Sequence, residues 1–236
     1  MKALISSSGG KDSLLALQRA QRAGYQVDTI VMMFDETGTT SRSHGIRSDV
    51  ANAQAAALGM TLVMPRSTWA TYEAVFVSAL RDLSAAGHTH AVFGDIDLQA
   101  HRDWEEKVCA LADITPVLPL WGENRNALAA EALTSGIEAI VVCVDSRHLA
   151  DRFAGRAYDG DFLADLPHGV DRCGEDGEFH TFVTNSPCMT EPVRVRVSRL
   201  RPFVAPPEIG GARFCFAELE LELELELELE DAEILP

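Results

Sequence analysis

The sequence has few lysines and no broad basic segment. Of its 236 residues, 20 are Lys or Arg and 36 are Asp or Glu, so the formal net charge is −16. Nine of the acidic residues lie in residues 217–236, and the rest of the chain has 27 acidic against 20 basic residues, a net charge of −7. Nucleic-acid binding usually relies on a basic surface that neutralises phosphates. We therefore expect no nucleic-acid partner.

Paired cysteines and long apolar runs are also missing. The five cysteines are an odd number, and none of them forms a C-x-x-C pair. No stretch approaches the roughly 18 apolar residues that a membrane-spanning helix needs. The first residues show no apolar segment of the signal-peptide kind. These absences predict a cytoplasmic protein with reduced thiols and no membrane contact.

Short apolar runs alternate with helical segments up to residue 145. Residues 3–5 are apolar and end in serines and glycines, residues 12–23 carry apolar positions toward one helical side, and residues 27–34 are apolar again. This β-loop-α-β order is typical of a parallel sheet. The sequence predicts an α/β fold: a parallel twisted sheet with helices on both faces, and a small C-terminal α+β lobe.

Polar residues follow the predicted strands. Ser8, Asp35, Asp95 and Asp145 each come after an apolar run. In open α/β sheets, ligands bind beyond the carboxyl ends of the strands. We expect these four side chains to gather along one edge.

The composition changes again towards the C-terminus. We predict a first domain over residues 1–145, a C-terminal lobe over 146–216 and an acidic Leu-Glu tail over 217–236. The Leu-Glu alternation puts Leu on one face of a strand and Glu on the other, so part of the tail should extend the last strand. Pairing of its exposed edge with another copy would give a homodimer. Arg194 and Arg196 share a strand face that is either solvated or attracts anions.

The segment between the first predicted strand and helix reads Ser8-Gly9-Gly10-Lys11-Asp12-Ser13. The two glycines let backbone N–H groups converge on an anion, and the helix start adds free donors. The serine hydroxyls and Lys11 can bind phosphate, and Asp12 can hold Mg²⁺. The spacing fits neither a Walker A loop nor a dinucleotide fingerprint. It matches S-G-G-x-D-S, the PP-loop of ATP pyrophosphatases.

A second polar cluster lies in residues 171–182. Glu175, Glu178 and His180 could perform acid–base chemistry, and on an extended segment Glu178 and His180 would point the same way. The spacing lacks the usual pattern of structural zinc sites. A polar turn without chemistry is the alternative.

Together the two motifs resemble the diphthine–ammonia ligase family, N-type ATP pyrophosphatases of the adenine nucleotide α-hydrolase superfamily. The resemblance extends over residues 1–205 and also includes Gly94-Asp95-Ile96, residues 119–122 and Gly155-Arg156. Its most specific part is the segment from Cys173 to Phe182. Arg172 stands where the family pattern has Pro, and the Leu-Glu tail lies outside the pattern.

The resemblance implies that the parallel sheet is of the HUP-like PP-loop ATPase kind. It also implies a ligase that uses ATP and Mg²⁺, adenylates a carboxylate with release of pyrophosphate, and amidates it with ammonia. The acceptor is unidentified, either a small molecule or a protein side chain. The resemblance assigns the nucleotide to Ser8, Gly9, Gly10, Lys11, Ser13, Gly94 and Asp95. It makes Asp12 a catalytic residue and the Mg²⁺ ligand, and directs Glu175, Glu178 and His180 toward the acceptor or the ammonia.

Two other functions remain open at this point. One is a PP-loop enzyme that thiolates or amidates tRNA, and the other is a nucleotide-sensing module without catalysis. Residues 41–45 either contact substrate or form a flexible loop. His101-Arg102 either touches phosphate or lies on the surface, and Trp121 is expected to be a packed aromatic.

Overall fold

The protein contains two β-sheets, and helices pack around the first. The computed structural model describes residues 1–205 and 211–222. The first sheet consists of β1 (Lys2–Ser6), β2 (Gln26–Val31), β3 (Thr61–Val63), β4 (His90–Val92) and β5 (Thr115–Val117). All strand pairs are parallel and the order is β3-β2-β1-β4-β5. The predicted parallel sheet is confirmed.

Helices cover both faces of this sheet, as predicted. The α-helices of the described chain are α1 (Lys11–Arg22), α2 (Ser48–Ala57), α3 (Tyr72–Ala85), α4 (Gln99–Ala110), α5 (Arg125–Thr134) and α6 (Gly160–Asp165). The short helix α6 instead packs its Phe162 against Phe179 in the second sheet. Successive side chains of β1 point to opposite faces: Ala3 and Ile5 join the core formed with α1 and α2, and Leu4 joins the core formed with α3 and α4. In the described ranges, no helix is long and apolar enough to cross a membrane.

The second sheet is antiparallel and lies against the α1 and α2 side of the first. Its strands are β6 (Glu138–Asp145), β7 (Phe179–Asn185), β8 (Val195–Val204) and β9 (Arg213–Leu221). Their order is β7-β6-β9-β8. Val141, Phe182 and Cys215 from this sheet share one core with Leu14 of α1. The apolar face of α1 therefore joins the two sheets.

Of the four side chains expected to gather at one sheet edge, Ser8 and Asp95 do so, and Asp35 and Asp145 do not. Asp145 ends β6, which pairs with β7 and β9, and its carboxylate is buried against Arg147 with 2.5 Å between Oδ2 and Nη2. Asp35 follows β2 but accepts hydrogen bonds within its own loop. An apolar run such as β6 suits a buried strand of either sheet, so the pattern could not assign its partners. The domain boundary at residue 145 stays a prediction.

The start of the Leu-Glu alternation forms a strand, as predicted. Within β9, Ala217 and Leu219 are buried, while Glu218 and Glu220 face arginines on β8. Glu220 pairs with Arg196 at 2.7 Å, so this arginine is neutralised within the sheet. The remainder of the predicted tail, residues 223–236, lies outside the described residues.

The fold brings β1 and β4 together at the point where the strand order reverses. The chain runs from β1 outward to β3, returns to β4 and continues outward to β5. Such reversals leave a crevice beyond the strand ends. Gly94 follows β4 and lies against the first turn of α1: a Cβ atom on Gly94 would be 2.8 Å from the Ser13 nitrogen and 2.9 Å from the Asp12 carbonyl carbon.

Replacing Gly94 with Ala should lower the free energy of unfolding by about 1–3 kcal/mol, because the added methyl group forces two backbone segments apart. Gly160→Ala is the control, since a Cβ atom there meets nothing within 4 Å. Urea unfolding measures both variants. A Gly94→Ala protein as stable as the wild type would show that α1 is not fixed against β4.

Candidate active site

One cleft collects most of the residues predicted to act on a ligand. It has a volume of about 870 Å³ and lies between the carboxyl edge of the parallel sheet and the segment from Cys173 to Thr181. The predicted site residues that line it are Ser8, Gly10, Lys11, Asp12, Ser13, Gly94, Asp95, Glu175 and His180. Gly9 and Glu178 are not part of its lining.

The loop before α1 is held in place by both sheets. Gly9 has φ +81°, a conformation that favours glycine, and its carbonyl oxygen accepts hydrogen bonds from Val183 N at 2.8 Å and Gln54 Nε2 at 3.1 Å. The Lys11 N–H donates to Thr181 Oγ1 at 3.0 Å. Gly9 thus holds the loop in place without lining the cleft. The N–H groups of Asp12 and Ser13, which follow Lys11 in α1, have no acceptor within the helix. Those N–H groups can bind an anion.

Lys11 is buried, and its ammonium group already has partners. Its Nζ donates to Asp12 Oδ2 at 2.8 Å and to the Cys173 carbonyl oxygen, and it lies 5.3 Å from the centre of the Tyr158 ring. Burial opposes the charge, but the Asp12 carboxylate outweighs it and raises the pKa of Lys11 above its usual value. Lys11 therefore ties the start of α1 to the Cys173 segment, and its role as a phosphate ligand stays a prediction.

Five carboxyl groups, those of Asp12, Asp95, Glu105, Glu175 and Asp176, line the same cleft. Burial raises the pKa of Glu175 to about 7, and the Asp12 charge adds to the rise. Glu175 Oε1 accepts a hydrogen bond from Ile96 N at 3.2 Å. Burial and a hydrogen bond with Asp95 raise the pKa of Glu105 to about 10. Glu105 was not predicted, because a single glutamate in a helix carries no motif.

Two histidines from different segments face each other in the cleft. The ring centres of His44 and His180 are 4.4 Å apart. Burial, with a contribution from Lys11, lowers the pKa of His180 to about 4. Burial and the charges of His180 and Lys11 also lower the pKa of His44 well below its usual value. Both rings are therefore neutral near pH 7, and residues 41–44 belong to the cleft wall.

Glu178 does not point the same way as His180. It is buried, its Oε1 accepts a hydrogen bond from Asp171 N at 2.9 Å, and its Oε2 has no partner within the described chain. The expected alternation fails because β7 begins at Phe179, so Glu178 still belongs to the preceding turn. Glu178 holds the backbone of the loop, and its predicted contact with an acceptor has no support from this geometry.

Arg125, at the start of α5, fastens that loop to the parallel sheet. Its guanidinium contacts Asp97 at 2.6 Å, Asp176 at 3.0 Å and Asp171 at 3.3 Å. Its carbonyl oxygen accepts from Cys173 Sγ at 3.1 Å. These contacts hold the loop after β4 and the Cys173 segment together, which fixes the backbone that carries the acidic residues of the cleft.

Aromatic side chains form another part of the cleft wall. Trp69 stacks on Tyr72 with 5.9 Å between ring centres, and Tyr72 lies 6.0 Å from Trp104. These three residues are spread along the sequence, so no local pattern predicts their meeting. Trp121 is packed against Arg102, with 5.1 Å from guanidinium to ring centre, and does not line the cleft. His101 does line it and contacts Asp95 at 2.7 Å.

Comparison with known proteins identifies the family. A model of the diphthamide synthase N-terminal domain matches residues 1–115, and a model of the diphthamide synthase C-terminal domain matches residues 124–204. The chain belongs to the diphthamide synthase family. The resemblance that the PP-loop and the Cys173 segment predict is confirmed.

Several similar proteins are diphthine–ammonia ligases. That of Bos taurus is 32% identical over 100 residues, which are 40% of this chain and 38% of the relative. That of Rattus norvegicus is 33% identical over 99 residues, 39% of this chain and 37% of the relative. The match thus spans well under half the length of these relatives. A crystal structure of a predicted subunit of tRNA methyltransferase from Methanocaldococcus jannaschii aligns with a TM-score of 0.45 at 16% identity, over 79% of this chain and 98% of that chain.

The cleft of this diphthamide synthase relative suits Mg²⁺ held jointly with phosphate. In residues 1–205 and 211–222, no group of three His, Cys, Asp or Glu side chains has the geometry to hold a metal. Mg²⁺ in nucleotide sites typically uses one or two carboxylates together with phosphate oxygens and waters. Asp12 fits this use: burial raises its pKa, Lys11 opposes the rise, and the charges of Asp171 and Asp95 add to it. A cation here would relieve that repulsion.

Replacing Glu175 with Gln should reduce the pH dependence of stability. The folded pKa is about 7 and the usual value is 4.5, so between them the folded protein keeps a proton that the unfolded chain has released. This group therefore makes stability fall as the pH rises through that range, and Gln cannot titrate. Urea unfolding from pH 5 to pH 8 compares the variant with wild type and with exposed Glu106→Gln. An unchanged slope in Glu175→Gln would contradict the raised pKa.

Proposed function

We propose that the protein is an ATP-dependent amide ligase, which adenylates a carboxylate with release of pyrophosphate and then amidates it with ammonia. One observation carries the proposal: the S-G-G-K-D-S loop and a titratable carboxyl group, Glu175, line the same cleft. In the sequence, 162 positions separate Lys11 of this loop from Cys173, the start of the second segment. A phosphate-binding element thus faces an acid–base group.

Phosphate binding would use the start of α1. The N–H groups of Asp12 and Ser13 have no helical acceptor, and the lack of a side chain at Gly94 lets the end of β4 lie against this first turn of α1. Ser8, Gly10 and Asp95 line the cleft around them. Asp12 would hold Mg²⁺, which supplies charge neutralisation on the polyphosphate when bound.

The reaction would proceed in two displacements. A carboxylate oxygen of the acceptor attacks the α-phosphorus and pyrophosphate leaves, which gives an acyl adenylate. The nitrogen of ammonia then attacks the acyl carbon, AMP leaves, and the nitrogen releases one proton. Glu175, with a pKa of about 7, is suited to take that proton near neutral pH. Neutral His180 is suited to accept a hydrogen bond from the nucleophile.

The first acceptor to test is diphthine, because the relatives are named for it. The thiolation alternative has less support, since it needs a reactive thiolate. Cys173, the thiol nearest to the loop before α1, is 2% exposed, and burial raises its pKa to about 12.

The proposal predicts that Mg-ATP, ammonium and a carboxylate acceptor yield AMP and pyrophosphate in equal amounts. Asp12→Asn should abolish both products, because it removes the charge expected to hold Mg²⁺. Circular dichroism checks that the variant remains folded, and Asp161→Asn on exposed α6 is the control. ADP and phosphate as products, or full turnover by Asp12→Asn, would refute the proposal. Tight ATP binding without turnover would favour a nucleotide sensor.

A further inference from the structure

Glu105 is a buried carboxyl group that faces the cleft without a donor. Its side chain is 3% exposed, it lines the cleft, and its Oε2 has no hydrogen-bond partner in residues 1–205 and 211–222. The next residue on α4, Glu106, is exposed and pairs with Arg102 at 2.7 Å. A buried polar atom without a hydrogen-bond partner destabilises the folded state. A ligand that brings hydrogen-bond donors would satisfy it.

The surroundings of Glu105 favour a small cation. Asp95 hydrogen-bonds with Glu105, and the charge of Glu175 also acts on it. Two aromatic rings, those of Tyr72 and Trp104, line the same cleft, and their faces attract cations. Burial and the neighbouring Asp95 raise the pKa of Glu105 to about 10, so Glu105 keeps its proton near neutral pH when no cation is bound beside it.

We propose that Glu105 and Asp95, flanked by Trp104, form a binding site for the ammonium ion. Ammonium carries four N–H donors, so it can satisfy Oε2 of Glu105 and the Asp95 carboxylate together. In the described ranges, no group of three His, Cys, Asp or Glu side chains has the geometry to hold a metal ion, so a cation that is bound through its own hydrogen-bond donors suits these two carboxyl groups better. The identity of the ion as the nitrogen donor rests on the proposed ligase function.

Ammonium must lose a proton before it can act as a nucleophile. The bound ion can pass one N–H proton to the Glu105 carboxylate, which leaves neutral ammonia in the cleft and a protonated Glu105. Binding of the next ammonium ion displaces that proton to water and restores the carboxylate. The step needs no further reactant. Glu105 would thus select the cation and deliver the neutral nucleophile.

A binding experiment without any acceptor tests the site. The melting temperature of wild type, Glu105→Gln and Glu106→Gln is measured in ammonium, sodium, potassium and tetramethylammonium chloride at equal ionic strength. Wild type and Glu106→Gln should show a saturable rise in ammonium alone, and the Kd for ammonium should increase at least tenfold in Glu105→Gln. Gln keeps the shape and the donor of a protonated Glu, so this variant should fold, which its melting in sodium chloride checks.

Two results would overturn the site: an equal rise in potassium chloride, or an equal response of Glu105→Gln and wild type to ammonium. Once an acceptor is found, the KM for ammonium should also rise at least tenfold in Glu105→Gln, while the KM for ATP stays unchanged. If no acceptor yields AMP, the ligase proposal fails, yet the salt series still decides whether the ammonium site exists.

Discussion

The buried ammonium group of Lys11 holds the candidate site together. A buried charge is tolerated only where it is paired and hydrogen-bonded, and Lys11 meets that condition through Asp12 and the carbonyl oxygen of Cys173. One partner starts α1 at the parallel sheet, and the other begins the loop that leads into β7. The contacts of the Lys11 side chain therefore fix the distance between these two segments. The cleft exists because this contact brings both segments to its opposite walls.

The cleft combines groups that can bind an anion with groups that can bind a cation. Neutral imidazoles and free N–H groups lie at the start of α1, whereas carboxyl groups from β4, α4 and the Glu175 loop lie close by. Burial raises the pKa values of Glu105 and Glu175, and the charges of the neighbouring carboxyl groups add to the rise. An anion bound at α1 and a cation bound at the carboxylates would each stabilise the other.

Local patterns in the sequence predict the part of the site that one continuous segment forms. The strand β1, the glycine-rich loop and α1 are contiguous, so their chemistry and placement follow from about twenty residues. Strand β5 is not predicted from the sequence, because it is three residues long and includes Pro116, a residue that is tolerated mainly in edge strands. The strand partners of β6 and the approach of Glu105 to Asp95 both depend on contacts between separate elements of the fold, which local patterns do not reveal. The side chain of Glu178 points in another direction than predicted, because Glu178 lies in the turn before β7 and period-two alternation holds only inside a strand.

The site also trades stability for function. Buried carboxyl groups that keep protons above their usual pKa destabilise the folded state as the pH rises, and a Glu178 oxygen and a Glu105 oxygen lack donors within the described residues. Sequences retain such features when a ligand compensates for them, because binding to the folded state adds stability by mass action. The two orphaned oxygens differ in this respect. Glu178 does not line the cleft, whereas Glu105 does, so of these two residues only Glu105 is placed to meet a ligand that binds there.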